Sequence, residues 1–395
     1  MLKKISIILM TIFIISIPSC VLANKEEDKS ISIDSLIKSQ IEKLDIGELE
    51  EVIDEINKNT NEFLPKINLK EYLTSMIKGK EVLGWDEIAK GMIKTLFKEV
   101  IANWSILSKV LFLSIICSIL TSLQGAFENE TISELAFYVC YLILISLSIK
   151  SFIIAIDIAK DAISNMVILM QALLPVLITL LLAVGAFTTS TLFQPIVLGS
   201  VSVVGTLMKD IILPLILFST IIGIVSKISS KIQITKLSGL IRQISLYIIG
   251  ISITLFMGIM SIRGAIAPKM DGLTIKTAKF AVDKFVPIVG KFLSDTMETV
   301  VGCSTIIKNG VGIIGMIGLF LISIIPIIKM ISLIFVYKFT TVVIEPIANP
   351  RIVESLTEIS KALTLVLAVI AIVTVMFFIT VTIIIGAGNT TAMFR

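Results

Sequence analysis

Two adjacent charges, Lys209 and Asp210, stand inside an apolar run at 196–225, with Pro214 just after them. Charged side chains are costly in lipid and turn toward protein or water. The run reads as one tilted helix with an internal ion pair, a broken helix or two short half-spans, and the pair accordingly as part of a polar path through a membrane or as a loop tip. A second polar interruption, Gly185-Ala-Phe-Thr188-Thr189-Ser-Thr191, is small and hydroxyl-rich and leads to Gln194 and Pro195. It reads as a discontinuous element lining a cavity or, equally, as a tight polar loop. Pro175, Pro195, Pro214 and Pro326 are each expected to break or kink the helix that holds them. Lys109, Lys150 and Lys329 lie in or at the ends of apolar runs, where their aliphatic stems can carry the charge toward headgroups.

Most other chemistry is excluded by composition. The chain has no histidine, which removes Ser-His-Asp and Cys-His catalysis, histidine metal sites and histidine proton relays. Its four cysteines, Cys20, Cys117, Cys140 and Cys303, form no CxxC pair, so neither a zinc site nor a disulfide framework is indicated. An aspartyl protease within the membrane needs two convergent aspartates in spans, and only Asp210 is a candidate. Gly310-Val-Gly312-Ile-Ile-Gly315 spells G-x-G-x-x-G, but it opens an apolar run and follows no strand. It reads as a small-residue face, extended by Gly318, for close helix packing. No Walker A sequence occurs. The expectation is a protein without catalytic residues, metal or cofactor.

The elements that must position these residues are helices in lipid. Hydrophobic residues make up 55% of the 395 residues and charged residues only 16%, against about 45–50% and about 25% in soluble domains. The apolar residues form long Ile/Leu runs at 103–123, 135–156, 167–184, 196–225, 243–262, 311–336 and 361–386. Each can cross a core about 30 Å thick, and none alternates with the period of a barrel strand. The fold class is thus all-α: a polytopic helical membrane protein with about seven transmembrane helices. In the segments between and after the spans, Lys and Arg number eight on each side, so charge does not orient the spans.

Residues 1–23 read as a cleaved signal peptide: Lys3 and Lys4, then the apolar stretch Ile5 to Ile17, Pro18, and Val21-Leu-Ala23. An uncleaved anchor, or lipid attachment at Cys20, are the alternatives. The following region, 24–101, is charged and helical in pattern. Ile33, Leu36, Ile37, Ile41 and Leu44 make one stripe and Leu49, Val52, Ile53 and Ile56 a second, with helix starts at Asp45–Glu48 and Asn68–Glu71. From Asp86, Met92, Ile93, Leu96, Phe97 and Ile101 face one way while Lys90, Lys94 and Lys98 face another. That pattern fits a helix in the membrane interface leading to Trp104, or a helix packed in a small soluble cap. The polytopic region then covers 102–395. Within it, an amphipathic segment at 275–301 sets Lys276, Lys279, Asp283, Lys291, Asp295 and Glu298 on one face, a candidate partner-facing helix or an ordinary solvated one.

Two stretches carry a resemblance. Leu174-Pro175-Val-Leu-Ile-Thr-Leu-Leu-Leu-Ala-Val-Gly185-Ala-Phe-Thr188-Thr189-Ser-Thr-Leu-Phe-Gln194-Pro195 resembles the central signature of the stage III sporulation protein AE family. Phe280-Ala-Val-Asp283-Lys-Phe-Val-Pro287-Ile-Val-Gly290-Lys291, with Asp295 and Val300-Val-Gly302-Cys303-Ser304, resembles its second one. The resemblance implies a non-enzymatic role in endospore formation, in the mother-cell membrane around the engulfed forespore (the outer forespore membrane). Implied partners are other stage III A-operon proteins, among them a secretion-type ATPase and ring-forming proteins, and indirectly the forespore stage II sporulation protein Q. The assembly is expected to act as a channel that supports late forespore gene expression. No nucleic acid and no cofactor is implied. A secondary transporter of a small solute and an inert scaffold that recruits partners are the competing readings.

Overall fold

A computed structural model describes residues 46–60, 72, 75, 85–123, 130–227, 234–285 and 289–393. Within these, the side chains of 59, 60, 85–88, 121–123, 130–134, 192, 193, 263, 265–270, 272–285, 289–298 and 388–393 lie outside the description. The signal segment 1–23, the stripe at 33–44 and the helix start at Asn68–Glu71 also fall outside it.

All the described secondary structure is helical. In chain order the helices are α1 (Gly47–Thr60), α2 (Trp85–Ala102), α3 (Trp104–Leu123), α4 (Glu130–Ala183), α5 (Phe187–Thr206), a π-helical turn (Leu207–Ile212), α6 (Leu213–Val225), α7 (Thr235–Phe285), α8 (Val289–Ile344) and α9 (Pro350–Met393). Helices are the expected outcome, because lipid offers no partner for backbone N–H and C=O groups and a helix satisfies them within itself. Six stretches are long and apolar enough to cross a membrane: Ala89–Leu120, Leu135–Ala183, Phe187–Val225, Thr235–Ile262, Thr299–Ile344 and Pro350–Ala387.

Among the described residues these six helices carry the seven apolar runs, since 135–156 and 167–184 belong to one unbroken helix, α4. Asp157, Lys160 and Asp161 lie between the two runs, and charge does not interrupt helical hydrogen bonding. At 1.5 Å per residue, the 54 residues of α4 reach about 81 Å and the 56 of α8 about 84 Å. Both far exceed one hydrocarbon core of about 30 Å. Pro175 and Pro326 lie inside these helices without ending them, and Pro195 lies likewise inside α5.

The expected option of two half-spans at 196–225 is corrected. Helix continues from Phe187 to Val225, with the π-turn at Leu207–Ile212. Pro214 supplies a reason. Its ring clashes with the carbonyl four residues back and it lacks an N–H, and widening the preceding turn relieves that conflict. Accordingly, the Leu213 N–H bonds the carbonyl of Met208, five residues back.

Of the segment 275–301, residues 286–288 lie outside the described residues. Residues 275–285 are the end of α7 and 289–301 the start of α8.

α9 is the central helix, touching α8, α7, α4, α6 and α5. Leu363, Val366, Ile370, Val373, Phe377, Val381 and Ile384 along it are wholly buried. α4 and α9 run parallel: the Tyr141 and Ser355 hydroxyls meet at 2.7 Å, and further along Thr374 meets the Met166 sulfur at 3.4 Å. α8 runs antiparallel to both, with Tyr337 donating to the Ser148 carbonyl at 3.4 Å and Lys308 donating to the Ile385 carbonyl at 2.7 Å.

Where α8 crosses its neighbours, the glycines do the fitting. A Cβ on Gly315 would overlap Leu173, and one on Gly312 would overlap Ile385. On Gly318 it would stand 3.2 Å from Leu169 and 3.8 Å from Ile56. The expected small-residue face is therefore present. Such faces let backbones approach closely, which matters in lipid, where van der Waals packing drives association.

α1 docks on the outside of α4 and α8. Leu49, Ile53 and Ile56 are buried beneath it and Val52 half-buried, as the second stripe predicts, while Glu48, Glu51, Asp54, Glu55 and Lys58 stay exposed. α2 packs on α8 through a face that buries Thr95 and half-buries Met92 and Leu96. Ile93, Phe97, Ile101 and Trp104 remain exposed beside Lys90 and Lys94, so the apolar side of α2 is split between the bundle and its surroundings.

Candidate functional site

The hydroxyl-rich segment after Gly185 forms the junction between α4 and α5. Gly185 takes φ 85°, a left-handed conformation that costs glycine nothing and other residues considerably more. It lets α4 end and α5 start within three residues, as the tight-loop reading required. Ala186 occupies the N-cap position of α5 and has no side-chain oxygen to satisfy the free N–H groups there. A carboxylate from far along the chain does so instead. Asp271, buried on α7, accepts from the N–H of Thr188 at 2.7 Å and from the N–H of Thr189 at 2.9 Å; it also accepts the Thr189 hydroxyl.

The negative charge thus sits at the positive end of the α5 dipole. Chemically this is a clasp. Each of these partners donates to the carboxylate.

Sequence reasoning missed Asp271. It lies beyond the apolar run 243–262, in a stretch read as a loop, and only the continuation of α7 to Phe285 brings it back along the bundle. One signal was available: a helix start with alanine at the cap position implies an acceptor from elsewhere.

The remaining candidates do not converge on this junction. Gln194 and Pro195 are exposed on α5, and Pro175 is exposed on α4, where Thr179 donates to its carbonyl at 2.9 Å. Lys209 lies 21 residues beyond Thr188, roughly 31 Å along the helix axis. There its ammonium donates to the Ser164 hydroxyl at 3.3 Å, while Asp210 is exposed. Lys276, Lys279, Asp283, Lys291, Asp295 and Glu298 lie on helical backbone, but their side chains are outside the description. Lys109 and Lys150 are exposed. Lys329 instead lines a cleft of about 290 Å³ with Glu55, Asn165, Ile168 and Ile325, beneath α1.

A polar seam that the sequence did not suggest joins α6, α7 and α9 at the other end of the bundle. Ser219 and Ser238 each donate to the other's carbonyl, at 2.8 and 2.7 Å. Gly223 permits this approach, since a Cβ there would stand 2.9 Å from the Ser238 hydroxyl. Arg242 pairs with Glu358 at 2.5 Å, Lys227 with Glu354 at 2.5 Å, and Lys361 with Glu358 at 3.4 Å. Among the described residues, no group of three histidine, cysteine, aspartate or glutamate side chains is placed to hold a metal ion.

Comparison with known proteins addresses the chain as a whole. Residues 67–388 match the family described as stage III sporulation protein AE. The chain is also 34% identical over 373 residues to the stage III sporulation protein AE of Bacillus subtilis (strain 168), covering 94% of this chain and 93% of that protein. The chain belongs to the stage III sporulation protein AE family. No solved structure matches it. The family match includes the whole α4–α5 junction, Asp271 and the polar seam, while α1, which lines the cleft at Lys329, lies before it. The protein is a sporulation protein with a multi-pass helical membrane architecture.

Proposed function

We propose that this stage III sporulation protein AE is a non-enzymatic membrane component of a channel-like, secretion-like complex linking mother cell and forespore. In this reading it sits in the mother-cell membrane around the engulfed forespore and supports late forespore gene expression. Its partners are other stage III A-operon proteins, including a secretion-type ATPase and ring-forming proteins, with the forespore stage II sporulation protein Q as an indirect one. The observation that supports this most is similarity along nearly the whole chain to a protein named for stage III of sporulation. The bundle also offers a conduit-forming protein long helices and tight glycine-mediated packing.

The test is deletion of the gene in its own spore-forming host, with a fluorescent fusion restoring it. The expected result is normal engulfment, loss of late forespore reporter expression, a large fall in heat-resistant spores, and fusion signal around the forespore. Normal spore yield in the deletion strain overturns the role. A fusion spread evenly over all cell membranes overturns the placement.

Lys209 beside Ser164 at the π-turn favours one competing reading, a secondary transporter, because π-turns often mark functional positions. In that case Lys209→Ala and Asp210→Ala abolish solute flux while the complex still assembles. In the favoured reading both variants sporulate as well as the parent.

A further inference from the structure

Buried hydroxyls in this bundle follow one habit. Ser114, Thr220, Thr340, Ser355, Thr374 and Thr380 each donate to the carbonyl one turn back, at 2.7–2.9 Å. That bond satisfies a hydroxyl inside an apolar core without help from a neighbour. Two serines depart from it. Ser148 of α4 and Ser360 of α9 are 0% and 3% exposed, and neither Oγ has a hydrogen-bond partner among the described residues. Such oxygens are rare in folded interiors, and each calls for an explanation.

The two stand at nearly one height. The Tyr141–Ser355 contact fixes the register of α4 against α9, which run parallel. From it, Ser148 lies seven residues on along α4 and Ser360 five along α9, about 10.5 and 7.5 Å. α8 brings a third member. Tyr337, 1% exposed, donates to the Ser148 carbonyl at 3.4 Å, and the hydroxyls of Ser148 and Ser151 flank its own. That bond is long, against about 2.5–3.0 Å for a well-formed O–H···O contact.

Ser360 turns the right way to join them. Two residues before it, Glu358 pairs with Arg242 of α7. Residues two apart on a helix point about 200° from each other. Ser360 therefore faces away from α7, toward the side of α9 that packs on α8 and α4. Four hydroxyls thus gather from three helices inside the core. One turn from them in sequence, Leu144, Phe152, Leu356 and Leu363 are wholly buried and apolar, which leaves the hydroxyls no bulk solvent to turn to.

We infer that ordered water is bound inside the bundle at this height, held by Ser148, Ser151, Tyr337 and Ser360 where α4, α8 and α9 meet. Buried water takes about two to four polar partners and both donates and accepts. Hydroxyls also do both, so a group of them suits it. An alkali cation suits it less. Every oxygen in the group is uncharged, and Glu358, an acid at the same height, is turned to Arg242 on the other side of α9; a buried charge calls for a paired one. The three helices are then joined here by a hydrogen-bonded bridge as well as by hydrocarbon contact. The inference rests on their packing and not on the sporulation reading.

The test uses the full-length chain purified in detergent. Under intense X-rays, water bound in an interior yields hydroxyl radicals that oxidise the side chains beside it, and mass spectrometry reads the product. Tyr337 is expected to be oxidised severalfold faster than Phe377 of α9, which is 0% exposed. Equal rates overturn the bound water. In parallel, Ser148→Ala and Ser360→Ala are each expected to lower the thermal unfolding midpoint, because each removes a bond to water. A raised midpoint overturns the site, since alanine has then relieved an oxygen bonded to nothing. If the parent's midpoint climbs in sodium or potassium over N-methylglucamine at equal ionic strength, a cation replaces the water and the inference falls. Radical labelling of the unaltered chain decides the matter even where a variant does not fold. Neither arm reads sporulation, so this test and the gene deletion fail separately.

Discussion

The outer face of α7 and the outer face of α1 belong to one helical bundle and carry opposite surfaces. α7 turns Tyr247, Ile251, Leu255, Ile259 and Ile262 outward in an unbroken apolar stripe. Across the bundle, α1 buries Leu49, Ile53 and Ile56 and turns its acids outward. In water the first pattern is a liability and the second is ordinary; in lipid the roles reverse. A protein whose whole circumference met lipid would show only the first. This one shows both, and between them α9 and α8 form a core closely packed enough to hold the two surfaces in fixed relation.

The most severe way to break that contrast is a charge on the apolar side. Ile259→Lys is expected to cost about 3 kcal/mol and to lower the membrane-inserted yield sharply. Insertion unaffected by this lysine removes the lipid assignment of α7. Asp271→Asn comes next, since it weakens charge-assisted bonds at the start of α5 and loosens the far part of α7. A loss of about 1.5–3 kcal/mol is expected, read as a lower thermal unfolding midpoint in detergent. Gly318→Val pushes against Leu169 and Ile56 and is expected to cost about 1–3 kcal/mol. Its particular signature is faster hydrogen exchange in α1 with the exchange of α7 unchanged; equal loosening of both sides contradicts α1 being the separately docked element.

Smaller effects sharpen the picture at the polar seam and on the acidic face. Arg242 and Glu358 are 22% and 21% exposed. Arg242→Gln is therefore expected to cost about 1 kcal/mol or less, and less again in high salt, as followed by thermal shift. Glu51→Gln should leave stability within about 0.5 kcal/mol of the parent, because an aqueous surface does not depend on that charge. A large stabilisation by Glu51→Gln would instead place Glu51 in lipid.

Much of this was legible in the residues. The Ile/Leu runs dictated helices in a bilayer, because no other backbone conformation satisfies itself there. The spacing of Leu49, Val52, Ile53 and Ile56 identified the buried face of α1, and Gly312, Gly315 and Gly318 announced close packing before any neighbour was known. The ends and joins of helices were less legible. The gap between the runs 135–156 and 167–184, at Asp157–Asp161, is unbroken helix. Lys209-Asp210 looked like a possible loop tip and lies in a widened turn of continuing helix.

What the sequence alone determined is the medium and the secondary structure, since both follow from local composition and periodicity. Only the tertiary structure decided that Asp271 closes the start of α5 and that α9 stands at the centre of the bundle. The reason is physical: hydropathy reports how much a residue prefers lipid to water, while the side of a bundle it faces is set by contacts among residues far apart in the chain.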